Sequence, residues 1–164
     1  MIELIVIDVD GCLTDGSIIY TSNGDEIKAF NVKDGLAIAS WIRLGKKAAI
    51  ITGRNSPVVE KRAKELKISH LYQGVKDKKA KLDEIVRQEK LSYENVAVIG
   101  DDLNDYGMLK EAGISFTPSD GSTYIKNIVN VVLTKKGGEG AVREMIEYII
   151  KKDNLEEEFL KLWV

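Results

Sequence analysis

Three short apolar runs stand out in the first part of the chain. They lie at 4–7, 48–51 and 96–99. Each run is too short for a buried helix and lacks the polar alternation of a half-exposed strand. Runs of this kind are typical of strands that are buried on both faces, as in parallel sheets. The pattern therefore predicts three central strands of a parallel sheet.

Segments with helical patterning separate these runs and continue the alternation along the chain. Ser56 and Pro57 mark a helix start, whereas Gly45 and Gly113 follow helix ends. The helical segments are 36–44, the one that begins at Pro57, 78–88, about 105–112 and about 141–151, and two more strand-like runs lie near 114–116 and 131–133. This alternation predicts an α/β fold with a doubly wound, Rossmann-like parallel sheet.

One segment interrupts the alternation of strands and helices. Residues 17–20 and 26–30 have strand-like patterns around Asn23-Gly24, a pair suited to the positive φ angles of a tight turn. We expect a single domain over 1–164, with a small hairpin insertion at about 17–30. A C-terminal tail at about 153–164 carries apolar residues among charged ones.

Composition and charge narrow the class of protein. The chain has 164 residues, 44% of them hydrophobic, which suffices for one core, and a net charge of -2, which provides no basic face for nucleic acid. Cys12 and His70 are single residues of their types, so neither a disulfide within the chain nor a zinc cluster is expected. Because no segment has the pattern of a signal peptide or of a membrane span, we expect a cytoplasmic protein without membrane partners.

Polar clusters follow the three predicted strands directly, at 8–11, 52–54 and 100–105. Because ligands of parallel sheets bind beyond the carboxyl ends of the strands, we expect these clusters to meet in one crevice. Two carboxylates at ~4 Å repel each other by about 4 kcal/mol at an effective dielectric of about 20, so the aspartates need a cation. Carboxylate ligands favour Mg²⁺, and Lys78 offers a second positive charge.

The residue types in these clusters suit phosphoryl transfer. Asp8 is a candidate nucleophile, since an ionised aspartate needs no base to attack phosphorus. Asp10 is a candidate general acid and base, provided that the surrounding carboxylates favour its protonated form. Thr52 and Lys78 would stabilise the charge on the transferred phosphoryl oxygens. The pattern indicates a magnesium-dependent phosphomonoesterase with an aspartyl-phosphate intermediate.

The order of Asp8-x-Asp10-Gly11, Thr52, Lys78 and the Gly-Asp-Asp signature at 100–105 resembles the haloacid dehalogenase superfamily of phosphatases. More narrowly, nearly the whole chain is similar to the small-cap family of 3-deoxy-D-manno-octulosonate 8-phosphate phosphatases. The stretches that carry this similarity are 8–16, 28–35, 52–54 and 137–144. The resemblance implies release of the free sugar acid and phosphate in lipopolysaccharide biosynthesis. It also implies that there is no large cap domain. The assembly it implies is a homotetramer in which hairpins assemble between chains and a neighbour's tail approaches each site.

The resemblance further implies roles for individual residues. Magnesium would be held by Asp8, the backbone carbonyl of Asp10 and Asp101, while Asp102 and Asp105 support the site. The substrate-contacting positions of the family correspond here to Asp10, Asn31, Val32, Lys33, Asp34, Gly35, Arg54, Arg62 and Lys78. The chain departs from the family pattern at Ala39, where a basic residue is common.

Three other functions are compatible with parts of this pattern. Close relatives with the same small-cap layout act on nine-carbon, sialic-acid-type sugar phosphates. A phospho-accepting receiver domain uses similar residues, but there the lysine follows the fifth strand, whereas here Lys78 precedes Asp101 and Asp102. A catalytically inactive binding subunit is the third, and the intact set of acidic residues argues against it.

Overall fold

The computed structural model describes residues 1–164 and contains a six-stranded sheet and a separate two-stranded hairpin. The strands are β1 (Leu4–Ile7), β2 (Ile19–Tyr20), β3 (Glu26–Ile27), β4 (Lys47–Ile51), β5 (His70–Tyr72), β6 (Val96–Ile99), β7 (Ile114–Thr117) and β8 (Val131–Val132). The large sheet has the order β5-β4-β1-β6-β7-β8, and all of its strand pairs are parallel. The predicted doubly wound sheet is confirmed.

Seven α-helices accompany the strands. They are α1 (Val32–Arg43), α2 (Pro57–Glu65), α3 (Lys78–Gln88), α4 (Tyr106–Glu111), α5 (Thr123–Lys126), α6 (Ala141–Lys152) and α7 (Glu156–Lys161). Helix α1 begins four residues before the predicted start, because the Asn31 side chain accepts a hydrogen bond from the Lys33 amide at 2.8 Å and caps it. The short elements α5 and β5 were not predicted. None of the helices has the length and apolar character needed to cross a lipid bilayer.

The pleat of the central strands divides the core into two layers. Ile5 and Ile7 of β1 pack in the cluster that includes residues of α1, α2 and α6, whereas Leu4 and Val6 pack with residues of α3, α4 and α5. All four residues of β1 are fully buried. Helices on both faces thus explain why this strand is continuously apolar rather than alternating.

A tight turn at Val9–Leu13 follows β1 and depends on close backbone contacts. Gly11 has a φ of 97°, and a Cβ at this position would lie 2.0 Å from a carboxylate oxygen of Asp101. Gly137 packs on the same turn, where a Cβ would lie 1.8 Å from the Gly11 carbonyl oxygen. These contacts leave no room for side chains. They give a physical reason for glycine in two of the stretches that carry the family resemblance.

The hairpin insertion is present, and its strands are shorter than predicted. Ile19 pairs with Ile27 and Tyr20 with Glu26, and Gly24 in the turn has a φ of 85°. Just beyond β3, the Lys28 side chain forms an ion pair with Asp10. No large cap domain is present, as predicted.

The C-terminal tail packs on its own chain. Leu155 and Phe159 contact the larger core cluster. Arg43, in the last turn of α1, donates a hydrogen bond to the Leu162 carbonyl at 2.8 Å, and its guanidinium lies 4.9 Å from the centre of the Trp163 ring. This end of α1 is near the start of β4, away from the carboxyl ends of the strands. We therefore leave the tail out of the candidate site.

Candidate active site

The three predicted polar clusters meet in one cavity beyond the carboxyl ends of β1, β4 and β6. The cavity has a volume of about 260 Å³, opens to solvent and contains no hydrophobic lining residue. Its lining residues are Asp8, Asp10, Gly16, Thr52, Gly53, Arg54, Asp101, Asp102 and Asn104. The parallel sheet thus brings together residues that are far apart in the sequence.

Lys78 lies beneath this cavity with its ammonium between two carboxylates. Its Nζ atom is 2.6 Å from Oδ1 of Asp8 and 2.6 Å from Oδ1 of Asp105. Lys78 is the first residue of α3, and it is 2% exposed. Burial lowers the pKa of Lys78, but the charges of Asp8 and Asp105 outweigh that effect and raise it above its ordinary value. Lys78 therefore carries a positive charge in contact with Asp8, which lines the cavity.

Asp105 organises the loop that carries the acidic signature. While its Oδ1 atom binds Lys78, its Oδ2 atom accepts hydrogen bonds from the backbone amides of Asp101, at 2.9 Å, and Asp102, at 3.3 Å. Asp105 is fully buried. Asp102 is exposed, and its carboxylate accepts a hydrogen bond from the Leu103 amide at 2.8 Å. The Asp105 side chain thus orients the backbone that presents Asp101.

Asp8 and Asp101 form a pair of carboxyl groups with too little positive charge around them. Burial, followed by the charge of Asp105, raises the pKa of Asp8 well above its ordinary value, although Lys78 lowers it. The same two causes raise the pKa of Asp101 to about 7. Without a cation, burial and the neighbouring carboxylates favour the protonated form of Asp8, and a cation at the site would favour the ionised form that attack on phosphorus needs.

The donor set fits Mg²⁺. A carboxylate oxygen from each of Asp8 and Asp101 and the Sγ atom of Cys12 lie within 4.8 Å of one another. Carboxylate oxygens are the ligands that Mg²⁺ prefers. Cys12 is fully buried, and burial and the nearby aspartates raise the pKa of its thiol well above the ordinary value, so it stays a neutral thiol. Asp8 and Asp101 are thus the side chains suited to hold the ion.

The hairpin contributes a network of charges to the rim of the cavity. Lys28 binds the Asp10 carboxylate and lies 2.7 Å from Glu26. Arg54 donates hydrogen bonds to Glu26 at 3.0 Å and to the Tyr20 hydroxyl at 3.1 Å. Sequence reasoning gave no role to Lys28 or Glu26. The available signal was the inclusion of Lys28 in a stretch that carries the family resemblance.

The other predicted substrate contacts form a second group at the start of α1. The Arg62 guanidinium lies 5.7 Å from the centre of the Phe30 ring. It also lies against Gly35, where a Cβ would be 2.2 Å from a guanidinium nitrogen of Arg62. Val32 and Lys33 are exposed in the first turn of α1. We expected both Arg54 and Arg62 to border the crevice. Arg54 lines the cavity, whereas Arg62 packs on Phe30 and is not among the lining residues.

Asp34 does not face the cavity. Its side chain is buried, and Oδ1 accepts a hydrogen bond from the Arg143 amide in the first turn of α6 at 2.8 Å. The Asn31 amide group donates to the Gly138 carbonyl at 3.3 Å in the loop before α6. Asp34 is thus not among the residues that line the cavity, and its contact with substrate stays a prediction. Its carboxylate instead ties α1 to the amino-terminal end of α6.

Comparisons with known proteins agree with this geometry. Residues 70–146 match the family model of haloacid dehalogenase-like hydrolases. The chain is 37% identical to the 3-deoxy-D-manno-octulosonate 8-phosphate phosphatase of Haemophilus influenzae, over 92% of this chain and 83% of that protein. It is 41% identical to the phosphatase of the same name from Yersinia pestis, over 94% of this chain and 83% of that protein.

Solved structures give the same relationship. A 3-deoxy-D-manno-octulosonate 8-phosphate phosphatase from Moraxella catarrhalis, in complex with magnesium, phosphate and KDO, superimposes with a TM-score of 0.95 and 42% identity, covering 99% of this chain and 94% of that one. The cobalt-bound form of the Haemophilus influenzae phosphatase has a TM-score of 0.88 and 37% identity, with coverages of 92% and 88%. The fold and the order of its elements are therefore shared along almost the full chain.

We predict that Asp101 makes the stability of the metal-free protein depend on pH. Its pKa of about 7 in the folded chain exceeds the ordinary aspartate value. Protonated Asp101 therefore stabilises the folded chain. This contribution is fully present below the pKa that Asp101 has in the unfolded chain, and it is lost as pH rises through about 7. In EDTA, the melting temperature of Asp101→Asn should rise relative to that of the wild type between about pH 5 and pH 8.

The control for this prediction is Asp25→Asn, which changes an exposed carboxylate in the hairpin turn. Its melting temperature should differ from that of the wild type by the same amount at every pH. Saturating Mg²⁺ should remove the advantage of Asp101→Asn, because the ion stabilises the ionised carboxylates of the wild type. The prediction would be contradicted if the melting temperatures of Asp101→Asn and the wild type in EDTA differed by the same amount at every pH.

Proposed function

We propose a function from the family of this chain, which belongs to the haloacid dehalogenase-like hydrolases and, within them, to the 3-deoxy-D-manno-octulosonate 8-phosphate phosphatases. The proposed reaction is hydrolysis of that sugar phosphate to the free sugar acid and phosphate. The observation that carries the proposal is that Asp8 and Asp101 line one polar cavity and that Lys78 binds Asp8 directly. A phosphate monoester brings the negative charge that Lys78 and a divalent cation can bind together.

Magnesium is the proposed cofactor. The residues that would hold it are Asp8 and Asp101 through their carboxylates and Asp10 through its backbone carbonyl, and Asp105 supports them through the backbone of its loop. When bound, the ion supplies positive charge that keeps Asp8 ionised and neutralises the phosphoryl oxygens. The donor set and the raised pKa values of Asp8 and Asp101 support this proposal.

The proposed reaction has two displacement steps. Asp8 attacks phosphorus, so that an oxygen–phosphorus bond to Asp8 forms while the bond between phosphorus and the sugar oxygen breaks. Asp10 gives a proton to the leaving sugar oxygen. Water then attacks the aspartyl phosphate, Asp10 takes its proton, and Asp8 is regenerated. Lys78 and Thr52 bind the phosphoryl oxygens, whose charge is spread during both steps.

The sugar acid end of the substrate requires another positive group. Arg54 lines the cavity, and its guanidinium is suited to a bidentate contact with a carboxylate. Arg62 and the first turn of α1, at 31–35, form the outer part of the proposed substrate site. Helix amides and an arginine in this second group offer donors to the oxygens of the sugar acid.

The family premise favours the octulosonate phosphate over the alternatives. Neither the comparisons nor the site supports a nine-carbon sugar phosphate as the preferred substrate. A receiver domain disagrees with the family to which the chain belongs. The proposed setting is lipopolysaccharide biosynthesis in the cytoplasm, where the phosphorylated sugar acid would be the substrate.

A homotetramer is the proposed assembly. The hairpin exposes apolar side chains, with Ile18 at 43%, Ile19 at 45% and Ile27 at 47% exposure, and Val32 and Leu36 on α1 are also exposed. Exposed apolar surface of this kind favours burial against another chain. Assembly through the hairpins would also limit access of water to a site that lacks a cap domain.

We predict that phosphate release depends on both substrate and metal. In a panel of sugar phosphates, the octulosonate phosphate should give a higher kcat/KM than nine-carbon sugar acid phosphates, because family membership extends over the whole site.

EDTA should abolish turnover and Mg²⁺ should restore it. Asp8→Asn should form no phosphoenzyme, since a neutral amide is a poor nucleophile. Full activity of metal-stripped protein would reject the mechanism, and a preference for nine-carbon substrates would reassign the substrate.

We predict that Arg54 distinguishes the sugar acid from other phosphate esters. Arg54→Ala should lower kcat/KM for the sugar acid phosphate by about 2 kcal/mol, the size of a charge-assisted contact, while sparing 4-nitrophenyl phosphate. Arg62→Ala should have a smaller effect, because Arg62 lies outside the cavity lining. Arg87→Ala, on the exposed surface of α3, is the control. Equal losses on both substrates would assign Arg54 to phosphate binding or folding instead.

We predict that the hairpin carries the oligomer interface. Light scattering at assay concentration should give the mass of four chains for the wild type. The double variant Ile19→Asp/Ile27→Asp should dissociate it, because the two exposed side chains are paired across the hairpin and charges there oppose burial. Tyr124→Asp, a change at another exposed apolar residue, should leave the mass unchanged. A monomeric wild type would contradict the proposed assembly.

A further inference from the structure

Lys28 is unusually buried for a lysine next to a short surface hairpin. Its side chain is 1% exposed, and its ammonium contacts the carboxylates of Asp10 and Glu26. A buried ammonium loses several kcal/mol of hydration, which only well-placed carboxylate partners can offset. The position of Lys28 is therefore coupled to the positions of Asp10 and Glu26.

The Asp10 carboxylate has few other restraints. It lines the cavity and is 20% exposed, and Lys28 is the only group that forms a hydrogen bond to it. The bond uses Oδ1 and leaves Oδ2 without a partner in the chain. An aspartate that transfers protons must present one oxygen to the reacting atoms in a defined direction, because misplacement is costly in rate.

We propose that Lys28 is a positioning residue that fixes the carboxylate of Asp10 for proton transfer. By holding Oδ1, Lys28 directs Oδ2 towards the leaving oxygen in the first step and towards the attacking water in the second. This inference rests on the proposed function, since it assumes that Asp10 is the general acid and base. Lys28 itself does not touch the reacting atoms.

Glu26 completes the arrangement. Its Oε1 atom lies 2.7 Å from the Lys28 ammonium, and its Oε2 atom accepts a hydrogen bond from Arg54 at 3.0 Å. Lys28 therefore keeps a carboxylate partner throughout the reaction. The hairpin has only two residue pairs, too few to be stable alone. The ion pairs that Lys28 and Glu26 form with Asp10 and Arg54 thus hold the hairpin in place. The same ion pairs hold the side chains of Asp10 and Arg54.

The test compares three variants in transient kinetics. Lys28→Met removes the charge at similar volume, and Lys28→Arg keeps it. Lys46→Met is the matched control, because Lys46 is also a largely buried lysine, 9% exposed, and its ammonium lies 2.6 Å from Glu3, away from the cavity. Rapid quench measures phosphoenzyme formation and hydrolysis with the sugar acid phosphate and with 4-nitrophenyl phosphate.

Lys28→Met should slow phosphoenzyme hydrolysis about 10- to 100-fold, part of the contribution that a general base makes. Formation from the sugar phosphate should slow by a similar factor. Formation from 4-nitrophenyl phosphate should slow less, because nitrophenolate leaves without a proton. KM should stay within about threefold, as expected for an effect on the transition state alone. Lys28→Arg should recover part of both rates, and Lys46→Met should match the wild type.

Unchanged rates of phosphoenzyme formation and hydrolysis in Lys28→Met would overturn the proposal, whether or not thermal stability falls. Lys28 would then serve only to hold the hairpin in place. Equal slowing of phosphoenzyme formation from both substrates would also overturn it. A crystal structure of Lys28→Met provides a readout that needs no activity: the Asp10 carboxylate should rotate or lose order. A wild-type orientation would overturn the proposal. Absence of phosphatase activity in the wild type would instead reject the proposed function, and the crystal structure would still decide the role of Lys28.

Discussion

A buried ammonium between two buried carboxylates is the interaction on which the rest of this site depends. Lys78, Asp8 and Asp105 are each 4% exposed or less. Removing these charges from water is costly, and only their short mutual contacts, at 2.6 Å, offset the loss. The arrangement still has an excess of negative charge, because Asp101 lies beside Asp8. Burial and that excess together raise the pKa values of both aspartates, and a divalent cation is the natural means of relieving the excess.

The fold supplies the rigidity that this charge cluster requires. Asp8 follows β1, Lys78 begins α3 and Asp105 precedes α4, so the cluster joins elements that pack on a common sheet. Contacts without room for a side chain tighten the arrangement, as where Gly137 meets the turn at Gly11. The backbone around Asp8 is thereby held by its neighbours before any ligand binds, which reduces the reorganisation needed during reaction.

The hairpin lies at the rim of the cavity and contacts several residues of the proposed site. It brings Lys28 to Asp10 and Glu26 to Arg54, and Phe30, just beyond it, supports Arg62. One short insertion thus contacts the residues proposed for proton transfer and for recognition of the sugar acid. Its apolar side chains remain exposed in the single chain. The same segment therefore connects the proposed chemistry with the proposed assembly of chains.

The sequence by itself determined the sheet, most of the helices and the residues that could carry the chemistry. Apolar runs such as 96–99 are recognisable because strands covered on both faces exclude polar residues, and the aspartates follow directly at the strand ends. Local pattern could not identify Lys28, since its environment comes from a contact with Asp10, eighteen residues away. Nor could it separate Arg54 in the cavity from Arg62 over Phe30. Burial and pairing between distant residues decided these positions and the ionisation of Asp8, because both depend on what surrounds a side chain in space.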